Sequence, residues 1–413
     1  MSNNLLTISK ITNEALMVLE NELTFTGEVD RNYDDQFAVV GAKIGQTVNV
    51  RRPGRFVGAT GPQLVVEDLN ETSVPVTLST QFQVSTQFTT QDLALSLDMF
   101  SDRVLKPAIA TIANKMDRDG LLMAKNNTAN IVGTAGTAPT GLITYLTAAA
   151  YLDSEGAPRD GRRSVIVEPF TSATIVDSLK GLFVPTSQIS SQYTKGLMGR
   201  DSGGMNWRMD QNVVSQTFGS YSGATLSCNV TTATGFLSSG WAYSSNITIG
   251  ATSAAATLNQ GDTFTIAGVY AVNPQNRQTY GNKLRSFVVA STTAIGSGGT
   301  ATVTVIPAVI TGGQFQNVSI TSTGSQTVTP FNNTGTVSAQ NILMHKNAFT
   351  LACADLELPE GVHFAGRASD KEIGLSIRVV RQYTINNDSI PTRLDVLYGW
   401  APLYPELACR IAS

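Results

Sequence analysis

Across residues 214–340 only Asp262, Arg277, Lys283 and Arg285 carry charge. The stretch is built from Ser, Thr, Gly and Ala with short β-branched runs, whereas both flanks have ordinary charge density and mixed helix and strand patterning. A segment whose composition differs from both neighbours reads as an independently folding insertion. Strand-like runs recur inside it (NITIG, DTFTIAGVYAV, LRSFVVA, TATVTVI and NVSITS), separated by Gly, Asn and Ser turns. That is the pattern of a small antiparallel barrel or sandwich. An all-β module plugged into an α+β body is a narrow architectural class.

The chain of 413 residues has room for two or three domains. Its hydrophobic content of 42% and mean hydropathy of +0.01 place it among globular proteins. Charged residues make up 14%, well below the usual ~25%. A surface so sparse in charge points to extensive cover by other chains; a Ser/Thr-rich β-protein is the plainer alternative. A net charge of −3 and a pI near 5.5 leave no broad basic footprint for nucleic acid. MSNNLLTISK lacks both the basic and the apolar region of a signal peptide, and no apolar run approaches the ~20 residues of a membrane-spanning helix. Cys228, Cys353 and Cys409 are odd in number and scattered, as expected of buried, reduced thiols.

Along the chain, Ile11, Ala15, Leu16, Leu19 and Leu23 recur at helical spacing, with Glu14, Glu20 and Glu22 on the other side and Glu28 and Asp30 beyond. FTGEVDRNYDDQF, polar and Gly-punctuated, reads as an extended arm rather than a packed loop. A strand from Thr47 leads into Arg51, Arg52 and Arg55; Glu67, Asp68 and Glu71 precede a second alternating run from Val76 to Val84. Two strands joined by a long loop, basic going out and acidic coming back, describe a protruding hairpin. Asp98 suits the N-cap of a long helix whose apolar face is Phe100, Val104, Ile109, Ile112, Ala113 and Met116. Pro107 either kinks this helix or opens its main half. SVIVEPF reads as a buried strand, TSATIVDSLKGLF and HKNAFTLACADL as helices. GLSIRVVRQYTI and TRLDVLYGW read as a hairpin turning at Asn386, Asn387 and Asp388.

Chemistry is thinly represented. His345 and His363 are the two histidines; neither has metal-ligand spacing, and no C-x-x-C occurs, so no metal or cofactor is expected. No G-x-S-x-G elbow supports a hydrolase, and His345 reads as a hydrogen-bonded residue at a helix start. Gly296, Gly298 and Gly299 sit between strands as a hairpin tip, not as a phosphate cradle. Asp34 and Asp35 form an adjacent pair without further oxygen ligands, which suits capping or an interface better than calcium. Mixed charge on the projecting loop suits pairing with a neighbouring subunit better than DNA binding, although solvated charges are an equal alternative. The chain is not read as an enzyme.

One family matches these pieces together. ALMVLENELTFTGEVDRNYDDQFAVVGAKIGQTVNVRRPGRF resembles the N-terminal arm and first loop strand of tailed-phage major capsid proteins. It is most similar to the coat proteins of short-tailed Salmonella phages, which add an inserted domain to the Hong Kong 97 capsid fold. DMFSDRVLKPAIATIANKMD, GDTFTIAGVYAVNP and IRVVRQYTINNDSIPTRLDVLYGW extend the resemblance over essentially the whole chain. It implies an N-arm (1–35), an extended loop with peripheral strands (36–90) and a spine helix (91–126). An axial domain (127–213 and 341–374) interrupted by a β-barrel (214–340), and C-terminal strands (375–413), complete the α+β fold.

The implied function is mechanical: hexamers and pentamers form an icosahedral head around double-stranded DNA, with a portal and a scaffolding protein as partners. The location is the virion, after assembly in the host cytoplasm, and a cargo compartment shell of the same fold is the alternative. Arg51, Arg52, Arg55, Glu67, Asp68 and Glu71 become candidate subunit-interface residues. Helix residues begin soon after Met1, leaving no room for the N-terminal prodomain some relatives use as built-in scaffold. A separate scaffold with a basic surface is therefore expected to meet Glu14, Glu20 and Glu22. Some relatives crosslink a loop lysine to a neighbour, but no lysine lies between Lys43 and Lys106 here, so contacts between subunits are expected to be noncovalent.

Overall fold

Alternation of apolar and polar residues over Ser389–Pro402 produces the longest strand of the protein, and three others depend on it. It pairs antiparallel with Thr80–Thr89 over its whole first part, with Leu375–Arg381 as a hairpin, and with Phe349–Ala354. The hairpin turns at Asp388, in the left-handed region at φ 44°, which Asp tolerates better than most residues. Phe364–Asp370 continues the sheet at its edge. The computed structural model describes residues 15–19, 23–31, 47–58, 60–64, 66–89, 105–178, 203–231, 235–332, 335–370 and 374–413.

The chain divides into two compact units. The first takes residues 1–50, 74–120 and 349–403; the second takes 51–73, 121–348 and 404–413. The stretch 341–374 is thus shared: the strand ending at His345 belongs to the second unit, everything from Phe349 to the first.

In the first unit, the long helix Lys106–Asn127 begins with Pro107 in its first turn, where the missing N–H costs nothing, and Ile109, Ile112, Ala113 and Met116 are buried as their spacing predicts. Asp98, Phe100 and Val104 lie outside the described residues. Ala15, Leu16 and Leu19 are buried on one side of a helical turn with Met17 exposed. Glu14, Glu20, Glu22, Asp34 and Asp35 lie outside the described residues.

Three expectations are corrected here. The segment 24–30 is packed, not extended: Phe25, Thr26 and Val29 are fully buried. Its anchor is Asp117, whose carboxylate accepts the backbone N–H of Thr24 (2.8 Å) and of Thr26 (2.9 Å) and the Thr26 hydroxyl (2.5 Å). Phe25 sits 5.4 Å from Trp400 and 6.2 Å from Phe349, ring centre to ring centre. Gly120 makes room for it, because a Cβ there would press on both Phe25 and Trp400. Second, Phe349–Ala354 is a strand, not a helix. Six largely apolar residues buried on both faces carry no period to read. Third, the alternating run from Val76 to Val84 is two strands, Thr72–Thr77 and Thr80–Thr89, because the chain changes sheets at Leu78 and Ser79.

In the second unit, a mixed sheet runs in the order Ile131–Gly133, Ala408–Ala412, Val337–His345, Arg163–Val167, Asn206–Met209. Arg163–Val167 is the buried strand expected of SVIV, and the helix Pro169–Ser178 follows it. The helix Leu142–Ser154 packs on the sheet through Tyr145, whose ring lies 4.8 Å from Trp207. Ser215–Thr217 pairs with Val337–Ala339, so the chain between them leaves and returns at one place.

That intervening chain forms a closed barrel. Its strands follow the order Thr279–Val289, Thr300–Ile306, Ser245–Thr252, Thr225–Asn229, Ser325–Pro330, Thr263–Val272, and the last pairs again with the first. Alternate residues, among them Ile247, Ile249, Phe264, Ile266, Val303 and Val305, fill the interior. Closure leaves no long unpaired edge.

Replacing Asp117 with Ala strands two backbone donors and a hydroxyl, and is expected to lower unfolding free energy by roughly 3 kcal/mol. Urea unfolding at unchanged m-value, with faster proteolysis near Phe25, is the measurement.

Candidate assembly interface and its anchor

Residues 53–71 form the loop between the paired strands Thr47–Arg52 and Thr72–Thr77. An exposed loop this long keeps one course only where its backbone is tied down. Its root is held by charge. Arg52 forms an ion pair with Glu406, and Arg55 reaches the same carboxylate at 3.7 Å. The Arg52 guanidinium also lies 4.4 Å from the Tyr404 ring centre and 5.6 Å from that of Trp241, so it is stacked as well as paired.

Beside this pair sits a second, deeper one. Arg285, from the barrel strand Thr279–Val289, is paired with Glu155 at the end of the helix Leu142–Ser154. Their side chains are 4% and 5% exposed. The Tyr280 hydroxyl, whose pKa burial raises, donates to the same Glu155 oxygen at 3.1 Å. Burial raises the Glu155 carboxyl against the pull of Arg285; burial also opposes the Arg285 charge, but Glu155, Tyr280 and Glu406 outweigh it and raise its pKa. A guanidinium keeps its proton throughout the ordinary pH range, so Arg285 stays charged. A cavity of about 200 Å³ lies among Arg52, Arg55, Glu155, Arg285, Tyr404 and Glu406.

Further out, hydrogen bonds to backbone and amide groups tie the loop to the barrel. Arg277 donates to the carbonyls of Phe56 (2.6 Å) and Val57 (3.3 Å). Gln314 donates to the Asp68 carbonyl at 2.7 Å and accepts from the Asn70 amide at 3.1 Å. Glu67 folds back inside the loop, accepting the N–H groups of Val57 and Gly58 at 2.7 Å each. Gly58 has φ 70°, which a side chain would disfavour.

The six loop residues singled out by sequence therefore separate. Arg52 and Arg55 are engaged with Glu406 at the root, and Glu67 with the loop's own backbone. Arg51 and Glu71 form an exposed pair at 3.4 Å, worth about 0–1 kcal/mol. Asp68 meets Gln314 through its carbonyl. The loop also presents apolar side chains to solvent: Leu64 is 90% and Val66 80% exposed. Sequence reasoning missed Glu155, Glu406 and Gln314. It registered Arg277 and Arg285 only as rare charges in a neutral stretch, and that rarity was itself the available signal.

Elsewhere, His345 Nε2 lies 3.1 Å from Asp160 Oδ1 and its Nδ1 accepts the Asn347 N–H, just ahead of the short 3-10 helix Lys346–Ala348. Gly296–Gly299 makes a tight turn between Thr293–Ile295 and Thr300–Ile306. The three cysteines are buried outside any disulfide. Among the described residues no cluster of His, Cys, Asp and Glu could hold a metal, and no helix is long and apolar enough to cross a membrane.

Removing Glu406 by substitution with Ala leaves two arginines without their carboxylate and is expected to cost about 3–5 kcal/mol. Amide hydrogen exchange in residues 56–70 should accelerate with it, whereas Glu71→Ala should change stability by less than about 1 kcal/mol.

The family model described as "P22 coat protein - gene protein 5" matches residues 1–410. No curated protein sequence matches the chain. Among solved structures, one described as Mycobacterium phage Che8 is similar at 12% identity and a TM-score of 0.47, over 94% of this chain and 90% of that one. The capsid of Ralstonia phage GP4 is similar at 8% identity and 0.45, over 94% and 88%. The mature capsid of bacteriophage PhiM1 is similar at 11% identity and 0.43, over 90% and 82%.

Proposed function

Since this chain belongs to the P22 coat-protein family and is a major capsid protein, a structural protein of the virion whose copies form an icosahedral shell, we propose that its fold is of the Hong Kong 97 type and that the shell is noncovalent and encloses double-stranded DNA. The family match over 1–410 carries this reading. The absence of any lysine between Lys43 and Lys106 supports noncovalent contact, because the loop offers no amine to a neighbour. Hexamers and pentamers, a portal, and assembly in the host cytoplasm belong to the same proposal. Electron microscopy of purified particles should show closed shells with nuclease-protected DNA, and denaturing gels a band near 43.8 kDa without larger species. Boiling-resistant multimers would refute the noncovalent part.

The loop's outer side is the proposed subunit contact. Arg51, Glu71 and the exposed Leu64 and Val66 are available there, while Arg52, Arg55 and Glu67 set the loop's course from within the chain. Residues 214–340 are read as the inserted domain, supported by the paired ends Thr217 and Val337 and by the closed barrel between them. Expressed alone, this fragment should give a β-type circular dichroism spectrum and dispersed amide shifts; random-coil spectra would count against it.

A separate scaffolding protein with a basic surface is proposed to meet the N-terminal helix at Glu14, Glu20 and Glu22. Charge reversal at Glu14 and Glu20 should lower the scaffold content of precursor shells severalfold. Unchanged scaffold content across a salt titration would remove the arm from this role.

A further inference from the structure

At the foot of the barrel a lysine, a glutamine and an aspartate stand in line inside the second unit. Lys125, in the last turn of the long helix, points its Nζ at Gln216 Oε1, 2.7 Å away. The other end of that carboxamide donates from Nε2 to Asp262 Oδ1 at 2.8 Å and to the Gln260 carbonyl at 3.0 Å. These contacts fix which end of the amide faces the amine. Asp262 Oδ2 is held by the N–H groups of Gly219 and Asn259, so the carboxylate cannot swing away. Gly261, at φ 89°, borders the amide so closely that a Cβ there would lie 3.3 Å from Gln216 Cδ. All three side chains are buried, and the Arg410 guanidinium is close enough to bear on both Lys125 and Asp262.

From this alignment we propose that Lys125 and Gln216 form an intramolecular isopeptide bond, with Asp262 as the proton-transferring group. Lys125 Nζ, as the free amine, adds to Gln216 Cδ. In the tetrahedral adduct Nζ and Nε2 share one carbon, so Asp262 Oδ1 can take the proton released by Nζ and return it to Nε2. The Cδ–Nε2 bond breaks, ammonia leaves, and the Nζ–Cδ amide replaces the original one; neither oxidant nor reductant takes part. A buried amine next to a fixed carboxamide is an activated nucleophile held at its target. Burial first, and then the Arg410 charge, bring the Lys125 pKa down to about 8, so part of the amine is free at neutral pH. Burial raises the Asp262 carboxyl, which suits a group that must hold a proton briefly. The product would staple the helix to the neck of the barrel within one chain, leaving the chain monomer-sized on gels.

The test is the intact mass of the purified full-length chain under denaturing conditions. Formation of the bond lowers it by one ammonia, about 17 Da, and tandem mass spectrometry of a digest then finds the Lys125 and Gln216 peptides joined. Lys125→Arg, which keeps the charge but cannot be acylated in this way, should lack the deficit. Asp262→Asn should slow or abolish it. A wild-type mass equal to that of the sequence overturns the proposal. So does a deficit that maps elsewhere, such as a cyclised Asn, with Lys125 unmodified. The wild-type measurement decides the matter even where a variant does not fold.

Discussion

Arg285 and Glu155 are both nearly inaccessible to water, and neither could stay there alone: an unpaired buried charge costs several kcal/mol. Each therefore requires the other, and they come from segments 130 residues apart. Their pairing joins a barrel strand to the end of a helix on the mixed sheet. Around the same cavity, Arg52 and Arg55 share Glu406 and fix the root of the projecting loop. The loop then follows one course, with Arg277 and Gln314 holding its backbone further out.

This explains the economy of charge in the barrel. All four of its charged residues are used against the protein itself. Asp262 and Arg285 are buried, Arg277 holds the loop, and the Lys283 ammonium lies 5.9 Å from the Tyr151 ring centre. Outward-facing barrel positions are occupied by Thr, Ser and Asn, as in Thr225, Asn229 and Thr252. A shell protein covered by its neighbours has less need of surface charge for solubility than a protein that works alone. The first unit follows the same rule for polar groups: Asp395 is wholly buried and is satisfied by Arg378, Arg393 and Gln81, which lie on its own and adjoining strands.

Periodicity, turn residues and composition made much of this readable in advance. Four of the six barrel strands, the hairpin turning at Asp388 and the buried face of the long helix from Ile109 to Met116 lie where the sequence pattern puts them, whereas Thr225–Asn229 and Ser325–Pro330 went unread. Expectation failed where neighbours override local pattern. Phe349–Ala354 is a strand because it pairs with the distant Leu397–Pro402, and nothing in its own six residues distinguishes that from a helical turn. Segment 24–30 looked like a solvated arm because it is polar. It is packed because Asp117, more than ninety residues away, offers a carboxylate to three of its donors. The loop charges were visible as a cluster, but Glu406, which takes two of them, sits in YPEL with no distinguishing mark.

The sequence by itself determined the class of architecture: a neutral β-module within an α+β body, a long loop between two strands, and a long helix. Those properties are local, since propensity, alternation and turn chemistry act over a few residues at a time. Only the tertiary structure decided which charges are spent inside the chain and which remain exposed. It also decided that Lys125, Gln216 and Asp262 meet. Pairing of buried polar groups depends on desolvation and on distance in space, and neither can be read from separation along the chain.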